Sequence, residues 1–254
     1  MSVGGVPANR DPYGELIDTG HLGHTLIPEN AFTRGLPKNG AERADDLEEL
    51  VALHGAETIA AVIVEPFSGS AGVILPPLGY LDRLRELCSK HDILLIFDEV
   101  ITGFGRTGEN FAADTFAVVP DMLCLAKAIT NGVIPMGAVI ATADIYKTFM
   151  SDEGPDYAIE FPHGYTYSGH PIACAAALAA LDLFEQEKLA ERCRELAPYF
   201  EEAIHSLQGL PYVADIRNFV LTGAIQLEAY PNEPARRPME VAIGCWQKGL
   251  YIRY

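Results

Sequence analysis

Lys127 is placed where a lysine is expensive. The stretch PDMLCLAKAITNG (120–132) is apolar almost without interruption up to this residue, whereas the other five of the chain's six lysines lie among polar or charged neighbours. An ammonium in apolar surroundings is costly unless it is paired or gives up its proton. Two outcomes are open: the side chain reaches the surface, or its neutral amine serves as a nucleophile or base. Two other apolar runs end in acid. TIAAVIVEP (58–66) closes on Glu65 and ILLIFDEV (93–100) on Asp98 and Glu99. A lone carboxylate at the end of such a run is ordinarily a cap or a turn former, and a lone lysine is ordinarily exposed. The case for a site is that all three runs could end at one edge.

For these side chains to meet, the runs must be neighbouring strands pointing the same way. The intervening patterns supply that. ADDLEELVALHG (44–55) has helical apolar spacing closed by Gly55, and LGYLDRLRELCSKHD (78–92) is an amphipathic helix. The apolar runs 58–66, 93–100, 121–128 and 136–145 read as strands, the first two as strands buried on both faces. Helices alternating with strands predict an α/β fold, a mostly parallel sheet with helices on both faces, whose ligands lie outside the carboxyl ends of the strands. Residues 1–41 read as an extended loop region and 151–171 as a long loop rich in aromatic residues and histidine. IACAAALAALDLFEQEKLAERCRELAPYFEEAIHSL predicts a long alanine-rich helical stretch. YVADIRNFVLTGAIQLEA then reads as strand–turn–strand, PMEVAIGCWQKG as a helix and LYIRY as the start of a further strand. A boundary near residue 185 separates a large sheet domain (1–185) from part of a smaller α+β domain (186–254).

Composition narrows the classes. The net charge of −17 over 254 residues argues against nucleic acid and anionic membrane surfaces as partners, because both need a basic face. Five cysteines, an odd number without CxxC spacing, fit neither a disulfide framework nor a structural zinc site, and no metal is expected. They suit a reducing compartment, hence a cytoplasmic location. No apolar run approaches a membrane span, and MSVGGVPANRDPYGE lacks the layout of a signal peptide. A strand ending in Asp-Glu also occurs in Walker B elements, but that reading requires a GxxxxGK[ST] loop, which the sequence lacks.

The order of motifs is more specific. IFDEVITGFGRTG (96–108), LAKAITNG (125–132), VEPFSGSAGV (64–73) and YTYSGHP (165–171) together resemble the class III pyridoxal-phosphate aminotransferases of fold type I, over essentially the whole chain. VIVEP, TYSGHP, DIRNFVLTGAIQLE and GLYIRY are most similar to the ω-amino acid:pyruvate (β-alanine:pyruvate) transaminases of that family. The resemblance implies pyridoxal 5'-phosphate as cofactor, held by Lys127 as a Schiff base, with Asp98 beside the pyridine nitrogen to keep it protonated. Val100 would pack on one face of the ring, leaving Glu99 a structural role. Glu65 matches a glutamate near the cofactor. Thr166 matches a threonine that reaches the phosphate of the partner subunit, and Arg253 an arginine that receives the substrate carboxylate as a bidentate fork. Arg106 would brace the glycine loop.

The implied reaction moves an amino group from an ω-amino acid or amine, such as β-alanine, to pyruvate. The implied assembly is a homodimer or a dimer of dimers acting on a small amino donor and a keto acid acceptor. Other activities of the class, such as 4-aminobutyrate transamination or an aminomutase reaction, fit the same residues, and so does an inactive remnant. Relatives in the family are longer at both ends, so the chain reads as a central fragment of a larger protein.

Overall fold

The structure, a computed structural model, describes residues 3–4, 18–150, 161 and 163–254. The readings that fall on residues 1–2, 5–17, 151–160 and 162 lie outside it.

Short runs of aliphatic residues form the main sheet: β1 (Ala61–Val64), β2 (Leu94–Asp98), β3 (Met122–Leu125) and β4 (Ala138–Ala141). They pair in that order, β1 to β3 parallel and β4 antiparallel at the edge. The parallel strands are connected through helices. α1 (Asp46–His54) precedes β1, α2 (Tyr80–Lys90) joins β1 to β2, and α3 (Ala112–Phe116) lies between β2 and β3. No α-helix crosses from β3 to β4; a 3-10 turn, Lys127–Thr130, takes its place and β4 returns antiparallel.

α2 shows why this layer holds. Gly79 starts it from a left-handed conformation (φ 87°), which costs glycine little. Its apolar residues Tyr80, Leu81, Leu84, Leu87 and Cys88 recur on one face and are all buried. They meet Leu95 and Phe97 of β2 and Leu47 of α1 in one core cluster. β1 differs from the expected strand buried on both faces: Ile63 is 40% exposed. Among the described residues β1 pairs with β2 alone.

The second half is built from α4 (Ala143–Phe149), α5 (Pro171–Gln186), α6 (Leu189–His205), a hairpin of β5 (Val213–Phe219) and β6 (Thr222–Leu227), and α7 (Arg236–Gln247). The helical stretch expected after residue 171 breaks in two, because Lys188 takes a left-handed φ of 50° between α5 and α6. α6 lies on the hairpin, where the ring of Phe200 would stand 3.0 Å from any Cβ added at Gly223. His205 at its end is buried against Asn218 of β5 at 2.8 Å. The expected strand at LYIRY does not form, and residues 250–254 have no regular structure. No strand among the described residues pairs with them, and the Leu250 N–H turns back to the Cys245 carbonyl at 2.9 Å.

Candidate active site

The three chemical signals do converge. Glu65 is the first residue after β1, Asp98 the last of β2, and Lys127 lies just past the end of β3. The three strands are parallel, so all three residues stand at one sheet edge. Val64 is in register with Phe97, which sets Glu65 beside Asp98, and Asp98 is in register with Cys124. Electrostatics records the same closeness. Burial pushes the Glu65 carboxyl above the usual range; the Gly69 N–H pulls it back, the negative Asp98 raises it further, and Lys127 lowers it. The Cys124 thiol is likewise raised, by burial and then by Asp98.

Alternation along the strand separates the two acids of the Asp-Glu pair. Asp98 is half-buried, and its Oδ1 accepts the Val100 N–H at 3.1 Å. Glu99 points the other way and is fully buried. It accepts the N–H groups of Ala112 and Ala113 at 2.7 and 2.8 Å and the Thr102 hydroxyl at 3.1 Å. Burial raises its carboxyl while these donors hold it down. Glu99 thus pins the start of α3 to the end of β2, and so fixes the backbone from which Asp98 projects.

Lys127 is turned out of the strand by its own backbone. Ala126 is extended, and Lys127 adopts φ 49°, in the left-handed region where a side chain costs about 1 kcal/mol. Asn131 (φ 50°) and Gly132 (φ 74°) close the turn, and the Gly132 N–H returns to the Lys127 carbonyl at 3.3 Å. The apolar run belongs to β3, whereas Lys127, for which that run left both a surface position and a chemical role open, is exposed and lines an open cleft of about 640 Å³. Its walls include Val100, Ile101, Phe104 and Arg106 from the glycine loop (100–108) and Arg192 and Cys193 from the N-terminal part of α6. In a chain of net charge −17, this lining holds three cations and no carboxylate. It offers an amine beside two carboxyls at the sheet edge, and guanidinium groups for an anion.

The structure brings Glu65, Asp98, Val100 and Lys127 together. It does not bring Thr166 or Arg253 to them. Thr166 lies exposed in a turn where the Tyr165 N–H bonds the Ser168 hydroxyl at 3.0 Å, and Arg253 is exposed in the irregular segment after α7; neither lines the cleft. Arg106 donates to the Leu221 carbonyl at 3.4 Å, tying the glycine loop to the hairpin turn. The cleft residues of α6 and Leu221 carry no signal in the sequence, since they arrive from more than 60 positions away through tertiary packing. The left-handed backbone of Lys127 is equally silent, although Asn-Gly at 131–132 is a recognisable turn signal.

The family profile described as aminotransferase class-III matches residues 16–254. This chain belongs to the class-III aminotransferases. It is 55% identical over 255 residues to the ω-amino acid–pyruvate aminotransferase of Pseudomonas putida, and 55% identical over 254 residues to the β-alanine–pyruvate aminotransferase of Pseudomonas aeruginosa. Both alignments take in 100% of this chain and 57% of the relative, so the chain spans little more than half the length of these curated relatives. Among solved structures it is similar to a PLP-bound amine transaminase from an uncultivated Pseudomonas species, with a TM-score of 0.87 and 38% identity over 99% of this chain and 58% of that one. This class-III aminotransferase chain has the mostly parallel sheet and flanking helices of fold type I. Among its described residues no helix is long and apolar enough to cross a membrane.

Proposed function

We propose that this class-III chain carries the catalytic lysine and its carboxylate partner of a pyridoxal-phosphate aminotransferase that moves an amino group from an ω-amino acid or amine, such as β-alanine, to pyruvate. The observation that carries the reading is the meeting of Lys127 and Asp98 at one sheet edge, beside a cleft whose lining is cationic. The two pyruvate aminotransferases matched at 55% identity support the choice of acceptor.

The residues present fit the cofactor in kind: a primary amine open to the cleft, a half-buried carboxylate near it, and an anion-favouring lining. Bound there, pyridoxal phosphate supplies an aldehyde for that amine and a pyridine ring that draws off the electron pair left when a C–H bond breaks. Lys127 provides the amine. With a substrate amine in its place, the freed Nζ would be the base that takes the proton from the substrate carbon and then the acid that delivers it to the carbon that bore the aldehyde. Asp98 would hold a proton on the ring nitrogen by its charge, Val100 would pack on one face of the ring, and Glu65 borders the same edge. Arg253 takes the substrate carboxylate. Thr166 serves the phosphate of a neighbouring copy, which makes the enzyme a homodimer or a dimer of dimers. The exposed repeat of Ile172, Ala175, Ala179 and Leu183 along α5 suits such an interface. The division into a large domain (1–185) and part of a small one (186–254) is supported by the break at Lys188 and the separate two-stranded sheet. The enzyme works in the cytoplasm, in keeping with its free cysteines.

The test is to add pyridoxal phosphate to the purified chain, record the visible absorption with and without β-alanine, and follow alanine formation from pyruvate. Borohydride reduction and peptide mapping should place the pyridoxyl group on Lys127. A label on Lys90 or Lys147, or no label, would overturn the assignment.

A further inference from the structure

We infer that the turn Glu65–Gly69 is a positioning device for the Val100–Ile101 wall of the cleft, with Gly69 as the spacer and Ile101 as the residue it bears on. Glu65 Oε2 accepts the Gly69 N–H at 2.9 Å. The rest of the loop is equally tied. Ser68 and Ile74 exchange backbone bonds of 2.9 and 3.0 Å, and the Gly69 carbonyl accepts from Gly72 and Val73 at 3.3 and 3.2 Å. Arg217 of β5 holds the Gly72 carbonyl at 3.0 Å.

Gly69 is not among the glycines with positive φ, so its backbone does not call for glycine. Space does. A Cβ at Gly69 would lie 2.9 Å from Ile101 Cδ1 and 3.0 Å from its Cγ2. Ile101 has no easy retreat, because it also packs on the buried cluster of Phe67, Val73 and Leu75. It is therefore gripped between that cluster and Gly69, and Val100, its chain neighbour, lines the cleft beside Lys127. Glu65 acts on this wall through the loop, as a positioning residue. The consequence for the cofactor rests on the aminotransferase reading; the grip on Ile101 does not.

The experiment uses the whole chain with labelled Ile δ1 and Val methyl groups. In cofactor-free protein, Gly69→Ala should displace the NMR signals of Ile101 and Val100. Adding Ile101→Val, which removes the Cδ1 methyl that clashes, should return Val100 towards its original position. Glu65→Ala should displace the same signals, whereas Glu65→Gln, which keeps an oxygen to accept the Gly69 N–H, should not. With pyridoxal phosphate, Gly69→Ala should weaken binding about tenfold and change the circular dichroism of the cofactor band, the double variant recovering to within about threefold. Val100 signals unmoved by Gly69→Ala, or moved equally in the double variant, would overturn the proposal. Should Gly69→Ala not fold, the Glu65→Ala and Glu65→Gln pair decides in the same way. Methyl signals that respond as expected in a chain that binds no pyridoxal phosphate would uphold the grip and sink the aminotransferase reading alone.

Discussion

Asp98 and Glu99 are adjacent carboxylates held in different ways, one half-buried at the sheet edge and one sealed among three donors. Only Asp98 is free to act on a ligand by its charge. Asp98→Asn keeps the shape and removes the charge, so it should slow substrate deprotonation by on the order of 10³-fold while cofactor binding changes far less. Single-turnover rates against a cofactor titration check this, and near-normal turnover would remove Asp98 from the role. Glu65 offers a test through pH. Burial lifts its carboxyl above the usual range in the folded chain, so between the unfolded and folded values the fold holds the extra proton. Stability then falls as pH rises through that window. Glu65→Gln has no such proton. Its unfolding free energy relative to wild type should therefore rise with pH just above the ordinary carboxylate range and then level off. Denaturant unfolding across that range measures it, and a relative stability that falls with pH would contradict the assigned environment.

At the scale of elements, the short α3 depends on a residue far from it in sequence. Its first N–H groups are answered by Glu99 at the end of β2, and Asp114 accepts the Phe111 N–H at 3.2 Å. Glu99→Ala would leave two N–H donors in a dry site and should cost about 3 kcal/mol. For a chain of this size that is a fall of roughly 6–12 °C in Tm. The same change should loosen the backbone under Asp98 and weaken cofactor binding. A calorimetric Tm within a degree or two of wild type would mean that water answers those donors. The turn after β3 works the opposite way: the backbone of Lys127 is strained, and the residue lines the cleft.

The whole molecule carries a charge of −17 yet keeps carboxylates out of the lining of the cleft beside Lys127, so charge is distributed by site and not by composition. Its apolar surface is equally uneven. Ile172 and Leu183 on α5 are 66% and 53% exposed and, with Ala175 and Ala179 between them, form one continuous side of the helix. Exposed runs of this kind in soluble chains mark contact surfaces. Leu183→Glu should shift the proposed dimer to monomer in sedimentation velocity while leaving the far-ultraviolet circular dichroism unchanged. A wild-type chain that sediments as a monomer at micromolar concentration would rule out this side as the interface.

The sequence by itself determined the elements whose cause is local. Apolar runs, turn residues and helical spacing placed β1 to β6, α1, α2 and α7, because burial and backbone preference act within a few residues. It also placed Glu65, Asp98 and Lys127 at strand ends, since parallel strands of similar length must finish together. What it could not set were outcomes decided by partners distant in the chain. Among the described residues, LYIRY has the composition of a strand but pairs with none, and β1 has the composition of an interior strand but pairs on one side alone. The helical stretch after Pro171 splits at a lysine with no local mark of a break. The same holds at the cleft. Lys127 looks interior from its neighbours in sequence, and it is the left-handed turn after β3, with the arrival of α6 and the Leu221 turn, that makes it the exposed wall of a cationic site. Tertiary structure alone sets such contacts, because their free energy depends on which surfaces meet and not on the residues that adjoin them.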